Sequence, residues 1–225
     1  MLRFSRGSRW LLMAIVSVVL IFMYAPLLVL ILNAFNERQI SAWPIQEFSF
    51  KWWVVAYESE AIRAALLNSV IVAFGAMLIA MVLGSLVAFA LSKYEFFGKG
   101  TVNLLVVLPI ALPGVVTGVA FSNTYSNFLT PAGIQLGYFG MIVAHATFCI
   151  VMVFNNVFAR LKRMNPSLQE ASMDLGEGLW GTFRLVTFPQ FRTAFAAGAL
   201  LAFALSFDEV VVTIFTAPPG VDTLP

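Results

Sequence analysis

WLLMAIVSVVLIFMYAPLLVLILNAF occupies Trp10–Phe35 without one charged side chain. The hydrocarbon core of a bilayer takes about 20 apolar residues in helix, so this run can cross it with residues to spare. Arg3, Arg6 and Arg9 precede it and give it the look of a secretory leader. It is longer than a cleavable apolar core and no small-x-small site follows, so it reads as a retained first span. The 225-residue chain as a whole carries the theme, with 60% hydrophobic residues, 11% charged residues and a mean hydropathy of +0.91. Soluble domains carry about 25% charged residues, so a chain facing water on all sides is excluded. Further apolar runs at about 64–91, 101–121, 137–158 and 193–216 bring the expected spans to five. The fold class is an all-α polytopic helical bundle, one transmembrane domain over residues 1–225. KWWVVAY (Lys51–Tyr57) is aromatic but too short to cross, and reads as an interfacial anchor or helix.

Orientation follows from the placement of Lys and Arg. With a cytoplasmic N-terminus, only Arg38, Lys51 and Arg63 of the 13 cations fall outside. The remainder, including Lys93, Lys99, Arg160, Lys162, Arg163, Arg184 and Arg192, fall inside, as the positive-inside rule requires. The end at Pro225 is then outside, and no polar tail follows APPGVDTLP. A net charge of +2 is too small to point to nucleic acid. Cys149 alone cannot form an internal disulfide, and His145 alone cannot build a multi-histidine metal site. No nucleophile, base and orienting group converge, so no catalytic residue is assigned.

Small residues mark helix contacts in lipid, where apolar burial supplies no force between helices. Ala76, Ala80, Gly84 and Ala88 form one such stripe, and Ala194, Gly198, Ala202 and Ser206 form another. The third span reads LPIALPGVVTG and holds Pro109 and Pro113. Proline removes a helical hydrogen bond, and the freed carbonyl must face protein or a water-filled cavity. The span is therefore either a kinked packing helix or a broken helix lining a pathway. Pro26 stands alone in the first span and reads as packing. Asp208 and Glu209 lie in ALSFDEVVVTIF, about 22 Å along the fifth span from Thr193 at 1.5 Å per residue. Acids there either face a cavity or mark the interface. Their side chains diverge by about 100°, so one lines the path at most, and Asp208 is the first candidate. An acidic pair near the outer mouth favours a cationic solute. His145 and Cys149 share a face and read as ordinary packing.

The polar segment at about 165–189 lies in the cytoplasm on this topology. Asn165-Pro166 is a helix start, by side-chain cap and proline, and Gly176 is a stop. Leu168, Ala171 and Leu175 share an apolar face, with Glu170 and Asp174 on the other side. A second short helix carrying Trp180 and Phe183 is expected to reach about Val186 and to be closed by Pro189. Spacing alone leaves two readings: a loop lying on the membrane, or an apolar face docking into a partner.

Glu170-Ala171-Ser172, then Gly176, Phe183 and Pro189, resembles the EAA coupling motif of ABC-importer membrane subunits. Ser172 stands for the alanine at the third position of that motif and Phe188 for the leucine of its closing leucine–proline. YAPLLVLILNAFN, LPIALPGVVTG and ALSFDEVVVTIFTAPPGVDTLP look like the spermidine/putrescine branch, so the resemblance covers nearly the whole chain. Some polyamine permeases carry an acid where this chain has Gly114. The resemblance implies an inner-membrane permease subunit of a bacterial importer, in which a sixth span is usual and is missing here. It implies a cytoplasmic ABC ATPase dimer holding ATP and Mg²⁺, a second permease subunit and a periplasmic solute-binding protein. This chain would bind no cofactor, and it holds no GxxxxGK[ST]. Glu170, Ala171, Asp174, Gly176, Phe183 and Pro189 would form the ATPase-coupling segment, and Asp208, Glu209, Pro109 and Pro113 the substrate path. Alternatives are an importer of another solute (an amino acid derivative, an aminophosphonate or ferric ion) and a secondary transporter.

Overall fold

Residues 5–38, 45 and 47–224 are described by the computed structural model. Arg3 and Pro225, used above for orientation, lie outside them. In chain order the helices are α1 (Arg6–Asn33), α2 (Lys51–Glu58), α3 (Glu60–Lys93), α4 (Lys99–Ala111), α5 (Gly114–Thr124), α6 (Tyr138–Leu161), α7 (Ser167–Asp174), α8 (Leu179–Thr182), α9 (Phe188–Phe207) and α10 (Val210–Thr216). Single π-helical turns follow α5, at Tyr125–Leu129, and α8, at Phe183–Thr187.

The residues up to Arg63 form one unit. Ser5 caps α1 by accepting the Ser8 N–H at 3.2 Å, and the helix runs through Pro26 without ending. None of its described residues is buried, and Phe22 is 82% exposed. A helix apolar all round and uncovered belongs in lipid or against another apolar helix. Beyond it, Asn36 pairs with Phe48 in an antiparallel bridge, and the Trp52 indole donates to the Asn36 carbonyl at 3.0 Å. The KWWVVAY stretch forms α2, as a short helix.

The second unit runs from Ala64. Its core is built around α6, whose Met141, Val153 and Phe154 are fully buried. Both small-residue stripes lie on buried faces. Ala76, Ala80, Gly84 and Ala88 are buried on α3, and Gly198, Ala202 and Ser206 on α9, with Ala194 half-buried. A Cβ on Gly84 would stand 2.9 Å from the Ile150 carbonyl oxygen, and one on Gly198 3.0 Å from the Val153 Cα. Glycine at these two points lets α3 and α9 bring their backbones against α6.

Two expected spans need correction. The third, read as one segment at 101–121, is two helices, with Lys99–Ala111 and Gly114–Leu129 bent by 105°. Leu112 adopts the extended conformation imposed on a residue before proline (φ −85°, ψ 139°), and the Pro113 carbonyl restarts the ladder by accepting from Val116 and Thr117. The fifth, read as continuous over 193–216, stops at Phe207 and restarts at Val210, with neither proline nor glycine at the gap. Its entry also differs. Pro189 does not end the preceding helix, because the π turn at Phe183–Thr187 absorbs its missing N–H, and one 29-residue helix runs from Leu179 to Phe207. Four described helices are long and apolar enough to cross a membrane, or five when the bent pair counts as one span.

Candidate functional site

Two places gather the predicted residues. The first is the elbow between α7 and α8. Asn165 Oδ1 accepts the Ser167 N–H at 3.1 Å, which starts α7. At its end Glu177 N donates to the Ser172 carbonyl and Gly176 N to that of Met173, with Gly176 at φ +92°. This is a Schellman stop, which needs a left-handed residue and so favours glycine. The buried face of α7 is polar. Gln169 accepts from the Lys93 ammonium of α3, and the Ser172 and Thr182 hydroxyls pair at 3.1 Å. The serine that departs from the EAA pattern therefore ties α7 to α8. Glu170, Ala171 and Asp174 are exposed, as are Leu168, Leu175 (88%), Leu179 and Trp180 (72%). Phe183 is half-buried, stacked on Trp180 and packed against Phe89 and Phe191, so it anchors the elbow to the bundle. Pro189 is exposed on the continuous helix.

The second place is where the two broken spans meet. A cavity of about 190 Å³ is lined by Pro109, Gly114, Thr117, Phe148, Glu209 and Val212, among others. Glu209 caps α10, its Oε1 accepting the Val212 N–H at 3.0 Å, and it is half-buried. A Cβ on Gly114 would stand 3.3 Å from that same oxygen, so Gly114 leaves the space the carboxylate uses. The halves that follow the breaks pack on each other, and a Cβ on Gly118 of α5 would come 2.8 Å from the Phe215 ring of α10. Of the four predicted pathway residues, Pro109 and Glu209 line this cavity. Pro113 is exposed beside it and sets the bend, while Asp208 ends α9 and is exposed. Of the acidic pair, the one at the cavity is thus Glu209.

A further set escaped the sequence reading. His145, 1% exposed, holds Ser206 Oγ through Nδ1 and Thr213 Oγ1 through Nε2, both at 3.0 Å. The Thr213 hydroxyl donates to the Glu209 carbonyl at 2.7 Å. The available signal was three polar residues inside apolar runs, each of which must find a partner away from water.

The family described as binding-protein-dependent transport system inner membrane component matches residues 80–225. The chain is 32% identical to the spermidine/putrescine transport system permease protein PotC of Haemophilus influenzae, over 94% of this chain and 80% of that protein. It is 31% identical to the putrescine transport system permease protein PotI of Escherichia coli K12, over 91% of this chain and 73% of that one. Among solved structures, a bacterial ABC transporter involved in the import of the acidic polysaccharide alginate shares the fold. Its TM-score is 0.60 at 17% identity, covering 92% of this chain and 74% of that one.

Proposed function

This chain belongs to the family of inner membrane components of binding-protein-dependent transport systems, and from that premise we propose that it passes a small polyamine-like cation along the cavity at its two helix breaks. The observation that carries this reading is the Glu209 carboxylate, lining a cavity between Pro109 and Gly114 with only Oε1 committed to a backbone N–H. A carboxylate in an apolar surround attracts an ammonium group more strongly than one in water. The names of the relatives supply the polyamine class. The exposed acid Asp208 draws the cation towards the site.

Work is done on the cavity from the cytoplasmic elbow. Leu168, Leu175, Leu179 and Trp180 are an exposed apolar surface that an ATPase groove would cover. ATP and Mg²⁺ act there, in a dimeric partner, and this chain contributes no catalytic group. A second permease subunit would complete the path, and a solute-binding protein would deliver the cation. Motion of the docked α7 passes to α3 through the Gln169–Lys93 bond and to α9 through the continuous Leu179–Phe207 helix.

The test is uptake of labelled putrescine by proteoliposomes holding the complete importer. Glu209→Gln is expected to lower uptake about tenfold, the loss of one charge-assisted contact. Unchanged uptake would remove Glu209 from the path. Saturation by an amino acid derivative in place of putrescine would favour the other solute classes.

A further inference from the structure

We infer that His145 is a positioning residue: it clasps the two halves of the fifth span and so holds the Glu209 carboxylate in the cavity. This rests on the reading of Glu209 as the ligand of the cation.

The fifth span has no covalent reason to break. Phe207-Asp208-Glu209-Val210 contains no proline and no glycine, and any of these residues can continue a helix. Apart from the Glu209 cap, what separates α9 from α10 is therefore held from outside, and His145 touches both ends of the gap. Ser206 is the penultimate residue of α9 and Thr213 lies in the first turns of α10. The ring reaches both from α6, in the fully buried core.

Hydrogen-bond accounting sets the direction of each contact. Thr213 has one hydroxyl proton, and it goes to the Glu209 carbonyl. The Thr213 oxygen must then accept from His145, so Nε2 carries the hydrogen and Nδ1 accepts from the Ser206 hydroxyl. The result is a relay from Ser206 through His145 and Thr213 to the backbone of Glu209. With that carbonyl pinned, the Glu209 side chain turns back onto the Val212 N–H and faces Gly114. If the gap closed into one helix, the side chain would lose the cap position and rotate with the helix, about 100° per residue. The clasp thus fixes which way the carboxylate points.

The experiment is titration of the permease–ATPase complex, purified without the binding protein, with labelled putrescine, alongside its basal ATP hydrolysis. Glu209→Gln alone is expected to weaken binding about tenfold. If it leaves binding unchanged, the reading of Glu209 fails, and the role of His145 with it. His145→Leu is expected to weaken binding by a similar factor with basal hydrolysis held, and His145→Gln, which keeps one donor and one acceptor, to recover most of it. The deciding measurement is His145→Leu in the Glu209→Gln background. Positioning predicts no further loss there, because the group being positioned is already gone. An additive loss, or a His145→Leu complex with normal binding, overturns the inference while leaving the role of Glu209 standing. Should His145→Leu fail to assemble, Ser206→Ala removes one end of the clasp, and the same comparison in the Glu209→Gln background decides.

Discussion

The two broken spans of this molecule break for different reasons. The bend between α4 and α5 is written into two consecutive residues: Leu112 is forced extended, and Pro113 cannot donate to the ladder. The gap between α9 and α10 has no proline or glycine; Glu209 caps its far side, and His145 of α6 bonds to residues on both sides of it. The first break would form in the isolated segment. The second is bridged by bonds to His145 that form only once the helices have packed. A break imposed from outside can also be released, so the fifth span is the one whose state can follow movements of its neighbours.

That contrast can be attacked in order of expected effect. The largest comes from Ser206→Ala combined with Thr213→Val, which leaves both His145 nitrogens unpaired in the core. Each buried unpaired group costs about 1–3 kcal/mol, so the melting midpoint in detergent should fall markedly. A midpoint matching the parent would mean that the clasp holds nothing.

Gly118→Leu comes next. It forces atoms into the Phe215 ring, 2.8 Å from the new Cβ, and should destabilise by about 1–3 kcal/mol through overpacking. Uptake should fall with it, since α5 and α10 must part. Retained uptake at a normal melting midpoint would show that their seam is not needed.

Gly176→Ala tests a turn that is encoded locally but lies outside both breaks. A non-glycine residue in the left-handed region costs about 1–2 kcal/mol, confined to the elbow. Co-purification of the ATPase should weaken while the melting midpoint of the bundle stays within a few degrees. Full co-purification would count against docking at the elbow.

The smallest effect belongs to Pro113→Ala. Restoring an N–H at an exposed position should cost no more than about 0.4–1 kcal/mol, through added freedom in the unfolded chain. Spin-label distances between α4 and α5 should nonetheless spread, because the local reason for the bend is gone. An unchanged, sharp distance would mean that this break too is held from outside, and the contrast between the spans would disappear.

Much of this could be read directly from residue types. The small-residue stripes on α3 and α9 were visible as fourfold spacing, and both lie on buried faces. The Asn165-Pro166 start and Gly176 stop of α7 were visible because caps use a few adjacent residues. Other features were not. Pro189 looked like a terminator, and only the π turn ahead of it let the helix pass. Which of Asp208 and Glu209 meets the cavity was not legible, because a helix end sends neighbouring side chains in directions that periodicity does not predict.

The amino-acid sequence by itself determined that the chain is a membrane bundle, where its apolar segments lie, and which of them carries helix-breaking prolines. These are consequences of transfer free energy and of one residue's stereochemistry, both local. Only the tertiary structure decided that the fifth span breaks, that Glu209 is the acid at the cavity, and that His145 bonds to both sides of that break. The partners of that histidine lie 61 and 68 residues away in sequence, and a hydrogen bond across such a separation exists only after the helices have packed.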